Sequence, residues 1–165
     1  MKLYMKQKVF SWKDRFTIKD ETGADRYTIE GEFFAIGKKL HVFDMSHNEV
    51  AFVQQKVLTF LPRFFVYRNG QQVAEIVKRF TFFRPRYEIA GLGWEVNGSF
   101  WEHDYTITKN GREIVSIHKV WMSWGYSYEL NIVNGEDEVL TLAVVLAIDA
   151  VMDDNSAAAA GAASS

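Results

Sequence analysis

The sequence predicts a mainly β protein, made of many short antiparallel strands followed by one enclosed apolar helix. Three observations lead to this class: an aromatic fraction of 15% with only two prolines, four Asn-Gly pairs, and a hairpin pattern that recurs along the chain. Aromatic and β-branched side chains fit the half-buried surface of a sheet, whereas proline interrupts its hydrogen bonds. At 165 residues the chain is most simply one domain with a single core.

Small polar clusters mark the expected turns. They are Thr22-Gly23, residues 44–49, Asn69-Gly70, Asn97-Gly98, Asn110-Gly111 and Asn134-Gly135. Asn and Gly tolerate the positive φ angles that a two-residue type I′ hairpin turn requires. The segments between these points alternate apolar and polar residues, as in "HDYTITKNGREIVSIHK", and this alternation is typical of an antiparallel meander.

One hairpin pattern appears about three times. Residues 70–89 align with residues 111–130, with Lys78 matching Lys119 and Tyr87 matching Tyr128, and residues 50–66 align with 73–89. Repeated units of this size bury their faces against their neighbours. A sheet built in this way can remove its edges by closing into a barrel.

The most apolar stretch, "EVLTLAVVLAIDAVMDD" at 138–154, could be a membrane anchor, a helix covered by a partner, or a core helix. It is shorter than the roughly 20 residues that a bilayer requires, it contains Asp149, and acids rather than lysines or arginines flank it. Apolar residues lie on every side of its helical wheel, which indicates burial all round. We expect an enclosed helix over about 136–153, with Asp149 either at a solvated rim or beside a buried partner.

The rest of the composition narrows the class further. Residues 1–154 are expected to form the domain, and 155–165 a low-complexity tail that is either helical or disordered. The net charge of -2 provides no global basic field, so no nucleic-acid partner is expected. The absence of cysteine excludes disulfides and thiolate metal sites. The N-terminus lacks the apolar core of a secretory signal, and a cytoplasmic location is expected.

The chain resembles the LURP-one-related family. The resemblance is carried by the run from "YMKQKVFSWKDRF" to "LTFLPRFFVY", by the repeated G-x-x-V-A-x-I-x-K unit, and by the terminal apolar segment ending in "LAIDAVMDD". That family belongs with the Tubby C-terminal domains and the phospholipid scramblases. The resemblance implies a closed antiparallel β-barrel of about twelve strands that encloses one hydrophobic C-terminal helix.

The densest basic group is the candidate binding site. It comprises Lys78, Arg79, Arg84 and Arg86, with Lys119 at the equivalent position of another repeat. Tubby domains bind phosphoinositide headgroups through basic side chains on the barrel face, so the resemblance implies an anionic headgroup as ligand here. Cationic side chains interleaved with aromatics are also what an interfacial lipid site requires. The ordinary alternative is a set of solvated strand ends.

Two other groups could carry chemistry. His41, Asp44 and His47 have a spacing that could bring three metal ligands together, although a strand followed by a turn does not align them. The acids at 136–138 could bind a hard cation or could solvate the start of the helix. We expect no metal, no cofactor and no catalytic residue.

The sequence therefore favours a non-catalytic binding or scaffold module. Its ligand would be a phospholipid headgroup or a partner protein on the outer barrel surface, which would make the protein peripheral at the membrane. A helix that fills the barrel removes the usual interior cavity for a small ligand. Two alternatives stay open: a scramblase-like membrane-associated protein whose helix leaves the barrel, and an enzyme with a rim site.

Overall fold

The computed structural model describes residues 1–6, 15–32, 36–82, 86–99, 102–123 and 125–162, with helix side chains up to Met152. These residues form twelve strands and one helix. The elements are β1 (Lys2–Lys6), β2 (Phe16–Asp20), β3 (Asp25–Gly31), β4 (Lys39–Asp44), β5 (Glu49–Lys56), β6 (Arg63–Arg68), β7 (Gln71–Arg79), β8 (Arg86–Ala90), β9 (Trp94–Ser99), β10 (Asp104–Lys109), β11 (Arg112–Met122), β12 (Gly125–Ile132) and α1 (Glu138–Ala162).

The strands form a closed up-and-down barrel. Each strand pairs antiparallel with its neighbours in sequence, and β1 closes the ring by pairing with β12 from Lys2 opposite Asn131 to Lys6 opposite Ser127. Closure gives both strands of this seam a hydrogen-bonded partner, so the sheet exposes no edge there. The mainly β class, the closed barrel and the single C-terminal helix that the sequence and the resemblance predicted are confirmed.

Successive antiparallel strands put alternate connections at opposite ends of the barrel. One end, here called the turn end, carries the connections at 21–24, 45–48, 69–70, 91–93 and 110–111. The opposite end, the loop end, is where β3, β5, β7, β9 and β11 finish. The chain leaves β12 at the turn end, so the helix enters the barrel there and runs toward the loop end.

Two of the predicted hairpin turns have the expected geometry. Asn69 and Gly70 have φ angles of 49° and 74°, and Asn110 and Gly111 have φ angles of 52° and 74°. Positive φ at both central residues is the requirement of a type I′ turn. The corresponding prediction at Asn97-Gly98 is wrong, because both residues lie inside β9 and the chain turns instead at 91–93.

The helix fills the barrel. Leu142, Val145, Leu146 and Ile148 lie on different sides of α1, and each has 0% of its surface exposed. Burial is continuous from residue 141 to residue 151, as an all-round apolar segment requires. The helix begins at Glu138 and extends to Ala162, so it takes in most of the segment predicted as a low-complexity tail.

The acids at 136–138 fix the start of the helix to the turn end. Asp137 is the N-cap, because its Oδ1 accepts a hydrogen bond from the backbone N–H of Leu140 at 3.0 Å. The same carboxylate forms an ion pair with Arg68 of β6. Glu138 accepts a hydrogen bond from the Tyr27 hydroxyl at 2.7 Å. These acids are therefore engaged with the helix and the barrel wall.

The cap at Asp137 gives a testable contribution to stability. We expect Asp137→Ala to lower the free energy of unfolding by about 1–2 kcal/mol, because it removes both the cap and the Arg68 ion pair. Asp137→Asn keeps a capping oxygen and removes only the charge, so it should cost less than half as much. Urea unfolding of the two variants separates the contribution of the cap from that of the ion pair. Equal losses of unfolding free energy in the two variants would show that the cap contributes nothing.

Candidate functional site at the loop end

The loop end exposes an unusual number of large apolar side chains. Leu58, Phe60 and Phe82 are completely exposed, with relative accessibilities of 103%, 102% and 101%. Within the described residues, the exposed large apolar side chains of the loop end are Ile36, Val57, Leu58, Phe60, Phe80, Phe82, Trp121 and Tyr126. At the turn end, the described residues include only three exposed large apolar side chains, those of Met1, Met45 and Val133. A concentration of this kind marks an interaction surface.

The backbone at Leu58 is strained. This residue has a φ of 58°, in the left-handed region that favours glycine, and its side chain is fully exposed. A non-glycine residue held there costs on the order of 1–3 kcal/mol. Because no packing of the side chain offsets that cost, the strain is a further indication that this loop has a role besides stability.

Lys78 lies on the inner face of β7, at its loop end. It stands opposite Tyr87 of β8 and has only 4% of its surface exposed. Its ammonium lies 5.4 Å from the centre of the Phe80 ring, and burial lowers the pKa of Lys78. The sequence-based prediction put this lysine on the outer barrel surface, and the inward register of β7 corrects that placement.

Arg79 and Arg86 stand directly opposite each other on β7 and β8. Both are exposed, and Arg79 forms an ion pair with Glu88 at 2.9 Å. Arg86 has no ion pair within the described residues. Like charges directly across a strand pair are destabilising, and an anion bound between them would relieve the repulsion. Arg84, the fourth predicted member of this group, lies outside the described residues.

Lys119 occupies the position in β11 that Lys78 occupies in β7. It stands opposite Tyr128 as Lys78 stands opposite Tyr87, so the sequence repeat is also a repeat in register. Unlike Lys78 it is exposed, with its ammonium 4.8 Å from the Tyr126 ring centre. Four of the five predicted cations thus lie at the same end of the barrel, distributed between its inner and outer faces.

A buried polar cluster lies beneath the loop end, where the helix leaves the barrel. Asp149 is 4% exposed, and its Oδ1 lies 3.5 Å from Nδ1 of His103. The His103 ring stacks on Tyr128 with 4.3 Å between ring centres. Burial, together with the Asp149 carboxylate, raises the pKa of Tyr87 to about 12 and that of Tyr105 well above its ordinary value. Asp149 is therefore enclosed with polar neighbours, and of this cluster the sequence pointed only to Asp149.

The predicted trio of His41, Asp44 and His47 does not converge. Asp44 binds the backbone of its own turn, and His47 lies in that turn with a φ of 63°. His41 lies instead between the carboxylates of Glu49 and Glu32, at 2.5 and 2.7 Å. Burial lowers the pKa of His41, but the hydrogen bonds to these carboxylates outweigh it and raise the pKa overall. Across the described ranges no group of three or more His, Asp or Glu side chains is arranged to hold a metal ion.

No helix in the described part of the chain has the length and hydropathy needed to cross a bilayer. The fold and the loop end together define the class: a β-barrel filled by its own helix, with an exposed apolar and cationic surface at one end. The profile of the LURP-one-related family matches residues 1–149, and the chain belongs to this family.

Two known proteins are similar over nearly the whole chain. The uncharacterized protein YxjI of Bacillus subtilis (strain 168) is 36% identical over 152 residues, which cover 92% of this chain and 94% of that protein. The X-ray structure of the Arabidopsis thaliana protein AT5G01750 superposes with a TM-score of 0.62 at 15% identity, over 91% of this chain and 90% of that one. The first likeness supports the family and the second shows the fold, so the activity has to be argued from the site.

Proposed function

We propose that this protein is a non-catalytic binding module that docks, from the cytoplasm, onto an anionic membrane surface through the loop end of its barrel. The observation that carries the proposal is that fully exposed apolar side chains lie at the same end of the barrel as Arg86 and Lys119, two cations that form no ion pair within the described residues. The opposite end carries short turns and the acids that hold the helix. The two ends of the barrel would thus have different roles, with the loop end facing the membrane and the turn end holding the helix.

The apolar side chains would supply part of the binding energy. Burying one Phe or Leu side chain is worth about 1.5–3 kcal/mol, and this gain is available at the loop end because Leu58, Phe60 and Phe82 bury almost nothing in the free protein. Trp121 and Tyr126, whose rings meet edge to face at 4.7 Å between centres, are residues that favour the membrane interface.

The cations would supply selectivity for anionic lipid. A Lys or Arg near an anionic leaflet contributes about 1 kcal/mol. Arg86 and Lys119 have no ion pair among the described residues, and a phosphate beside Arg86 would offset the repulsion from Arg79. Apolar insertion and electrostatic attraction are individually weak, and stable membrane binding takes two such signals together.

The helix-filled barrel supports binding rather than catalysis. Leu146 and its neighbours on α1 occupy the barrel interior, which is the space in which some other β-barrels hold a small ligand. Asp149 itself lies inside that packed interior, with 4% of its surface exposed. A substrate would therefore have to bind on the outer wall or at an end of the barrel.

Vesicle co-sedimentation tests the proposal. We expect binding to vesicles that contain phosphatidylserine or a phosphoinositide, little binding to pure phosphatidylcholine, and loss of binding at high salt. Arg86→Glu should weaken binding by about 1–2 kcal/mol, roughly five- to thirtyfold. Arg112→Glu is the matched control, because Arg112 is an exposed cation at the turn end and should leave binding unchanged.

Two apolar variants complete this test. Phe60→Ser should weaken vesicle binding about tenfold or more without lowering the melting temperature, because the ring is fully exposed. Leu58→Gly should also weaken binding while preserving or raising stability, since glycine relieves the left-handed backbone. Equal binding to anionic and neutral vesicles, or equal losses in Arg86→Glu and Arg112→Glu, would reject the proposal. A wild-type protein that sediments with neither vesicle would favour a partner protein.

A further inference from the structure

A second surface lies on the outer wall near the turn end. There β5, β6 and the turn after β6 surround an open pocket of about 320 Å³. Its lining includes Glu49, Phe52, Gln54, Tyr67, Asn69 and Gly70. This volume lies at the small end of the range for ligand sites, which mostly combine apolar walls with a few polar groups.

Aromatic rings form one side of this pocket. Phe52 stands opposite Tyr67 across the β5–β6 pair, with 5.7 Å between ring centres and 39° between ring planes. Both rings are half-buried, and the His41 ring packs against Phe52 with 4.7 Å between ring centres, so the part of each ring that a ligand could meet is its remaining exposed surface. The negative π face of an aromatic ring attracts cations, by about 0.5–1 kcal/mol at exposed sites and by about 2 kcal/mol where water is excluded.

The charge of the lining residues also favours a cation. Glu49 is the only lining residue of the pocket whose side chain is charged at neutral pH. Its Oε2 is bound by His41, and within the described residues its Oε1 makes no hydrogen bond. The cationic neighbours of this carboxylate are Lys39 and His41, and both contact Glu32, at 3.0 and 2.7 Å, so they are shared between two carboxylates. The amide oxygens of Gln54 and Asn69 are further acceptors.

We propose that this pocket binds a small organic cation, an alkylammonium compound free in solution, with its charged nitrogen between the Phe52 and Tyr67 rings and Glu49. The position of the pocket favours a soluble ligand over a lipid headgroup. Glu49 begins β5 at the turn end, about 23 Å along the strand from Lys56 at the loop end, while Gln54 on the far side of the pocket lies two residues from Lys56. This site is independent of the membrane-docking surface.

Titration with choline tests the proposal, with 3,3-dimethyl-1-butanol as its uncharged analogue of the same shape. Chemical shifts of the protein, followed by NMR, should report saturable binding of choline and binding at least tenfold weaker for the neutral analogue. A tenfold loss corresponds to about 1.4 kcal/mol, within the range of a cation held by two rings. Phe52→Leu, Tyr67→Leu and Glu49→Gln should each weaken choline binding about fivefold or more.

Two control variants test whether a loss of choline binding is specific to the rings that line the pocket. Tyr67→Phe retains the ring and should retain binding. Phe65 lies next to Tyr67 on the outer face of β6, but its ring does not line the pocket. Phe65→Leu should therefore change the affinity for choline less than twofold. Thermal unfolding checks that each variant is folded, and should the ring variants fail to fold, Glu49→Gln alone decides the outcome.

The proposal is overturned if choline shows no saturable binding, if the neutral analogue binds equally well, or if Phe65→Leu weakens binding as much as Phe52→Leu. A lipid source is tested with phosphatidylcholine vesicles: vesicle binding that Phe52→Leu abolishes would overturn the soluble ligand. Arg86→Glu should leave choline binding unchanged. The membrane-docking function and this site can therefore fail separately.

Discussion

Leu146→Asp is expected to prevent folding. Leu146 is fully enclosed at the middle of the buried part of α1, with barrel wall on all sides. The substitution removes a buried leucine, worth about 2–5 kcal/mol, and introduces a carboxylate for which the surrounding aliphatic core offers no partner, which costs several kcal/mol more. The sum is comparable with the entire stability of a typical domain, about 5–15 kcal/mol. The variant should appear in the insoluble fraction or as a protein without a cooperative unfolding transition.

Leu146→Met is the matched control for this prediction. Methionine conserves volume and polarity, so it should cost less than about 1.5 kcal/mol and leave the unfolding transition cooperative. Soluble, cooperatively folded Leu146→Asp would contradict the enclosed position of the helix. Failure of both variants would mean that the site tolerates no change of shape, and the effect of the charge would then be unproven.

Gly98→Ala is expected to have the next largest effect. Gly98 lies in β9 opposite Tyr105 with a φ of 128°, and a Cβ atom there would lie 2.6 Å from the carbonyl oxygen of Asp104 and 2.7 Å from Cα of Tyr105. Both contacts are with backbone, so no side chain can rotate away. Backbone strain of about 1–3 kcal/mol and overpacking of about 1–3 kcal/mol then add, and we expect a loss of at least about 3 kcal/mol in urea unfolding.

Gly111→Ala separates the two contributions. Gly111 also has a positive φ, 74°, but a Cβ atom there would meet nothing within 4 Å. Its substitution should cost about 1 kcal/mol, from the backbone alone. If the two alanine variants lose the same stability, the close approach of β9 and β10 at Gly98 is not a constraint.

The same contrast explains which turns could be predicted from the sequence. Asn69-Gly70 and Asn110-Gly111 turn because a two-residue hairpin needs positive φ at both positions, and this requirement is local. Gly98 is needed for a different reason, the close passage of the next strand, and that depends on a residue whose position follows only from the strand register. An Asn-Gly pair by itself does not distinguish the two.

The helix could be predicted because its composition determines its environment. A segment that is apolar on every side has to be enclosed, and the buried residues of α1 follow directly from that argument. The closeness of His103 to Asp149 could not be predicted, since His103 lies far away in sequence and is brought within 3.5 Å of Asp149 only by the closed barrel.

The candidate site could be predicted only in part. The basic residues around the β7–β8 hairpin stand out in the sequence, but their inner or outer placement depends on register, which turned Lys78 inward and Arg79 outward. The apolar half of the loop end was missed, because its members lie in separate parts of the chain, such as residues 57–60 after β5 and 80–82 after β7. These residues lie at the same end of the barrel because successive strands run in opposite directions. Counting the predicted strands would therefore have grouped these residues at one end.

Closure of the barrel through β1 and β12 has a consequence for biosynthesis. At ~5–20 residues per second, the ribosome delivers β12 roughly ten seconds after β1. During that interval Leu3 and Met5, both completely buried in the finished protein, have neither their partners on β12 nor the helix against which they pack. The nascent chain is then a row of amphipathic hairpins with an uncovered apolar face, the kind of intermediate that chaperones retain. A message truncated before α1 would yield a barrel wall with nothing to enclose, so the yield of native protein depends on translation reaching the helix.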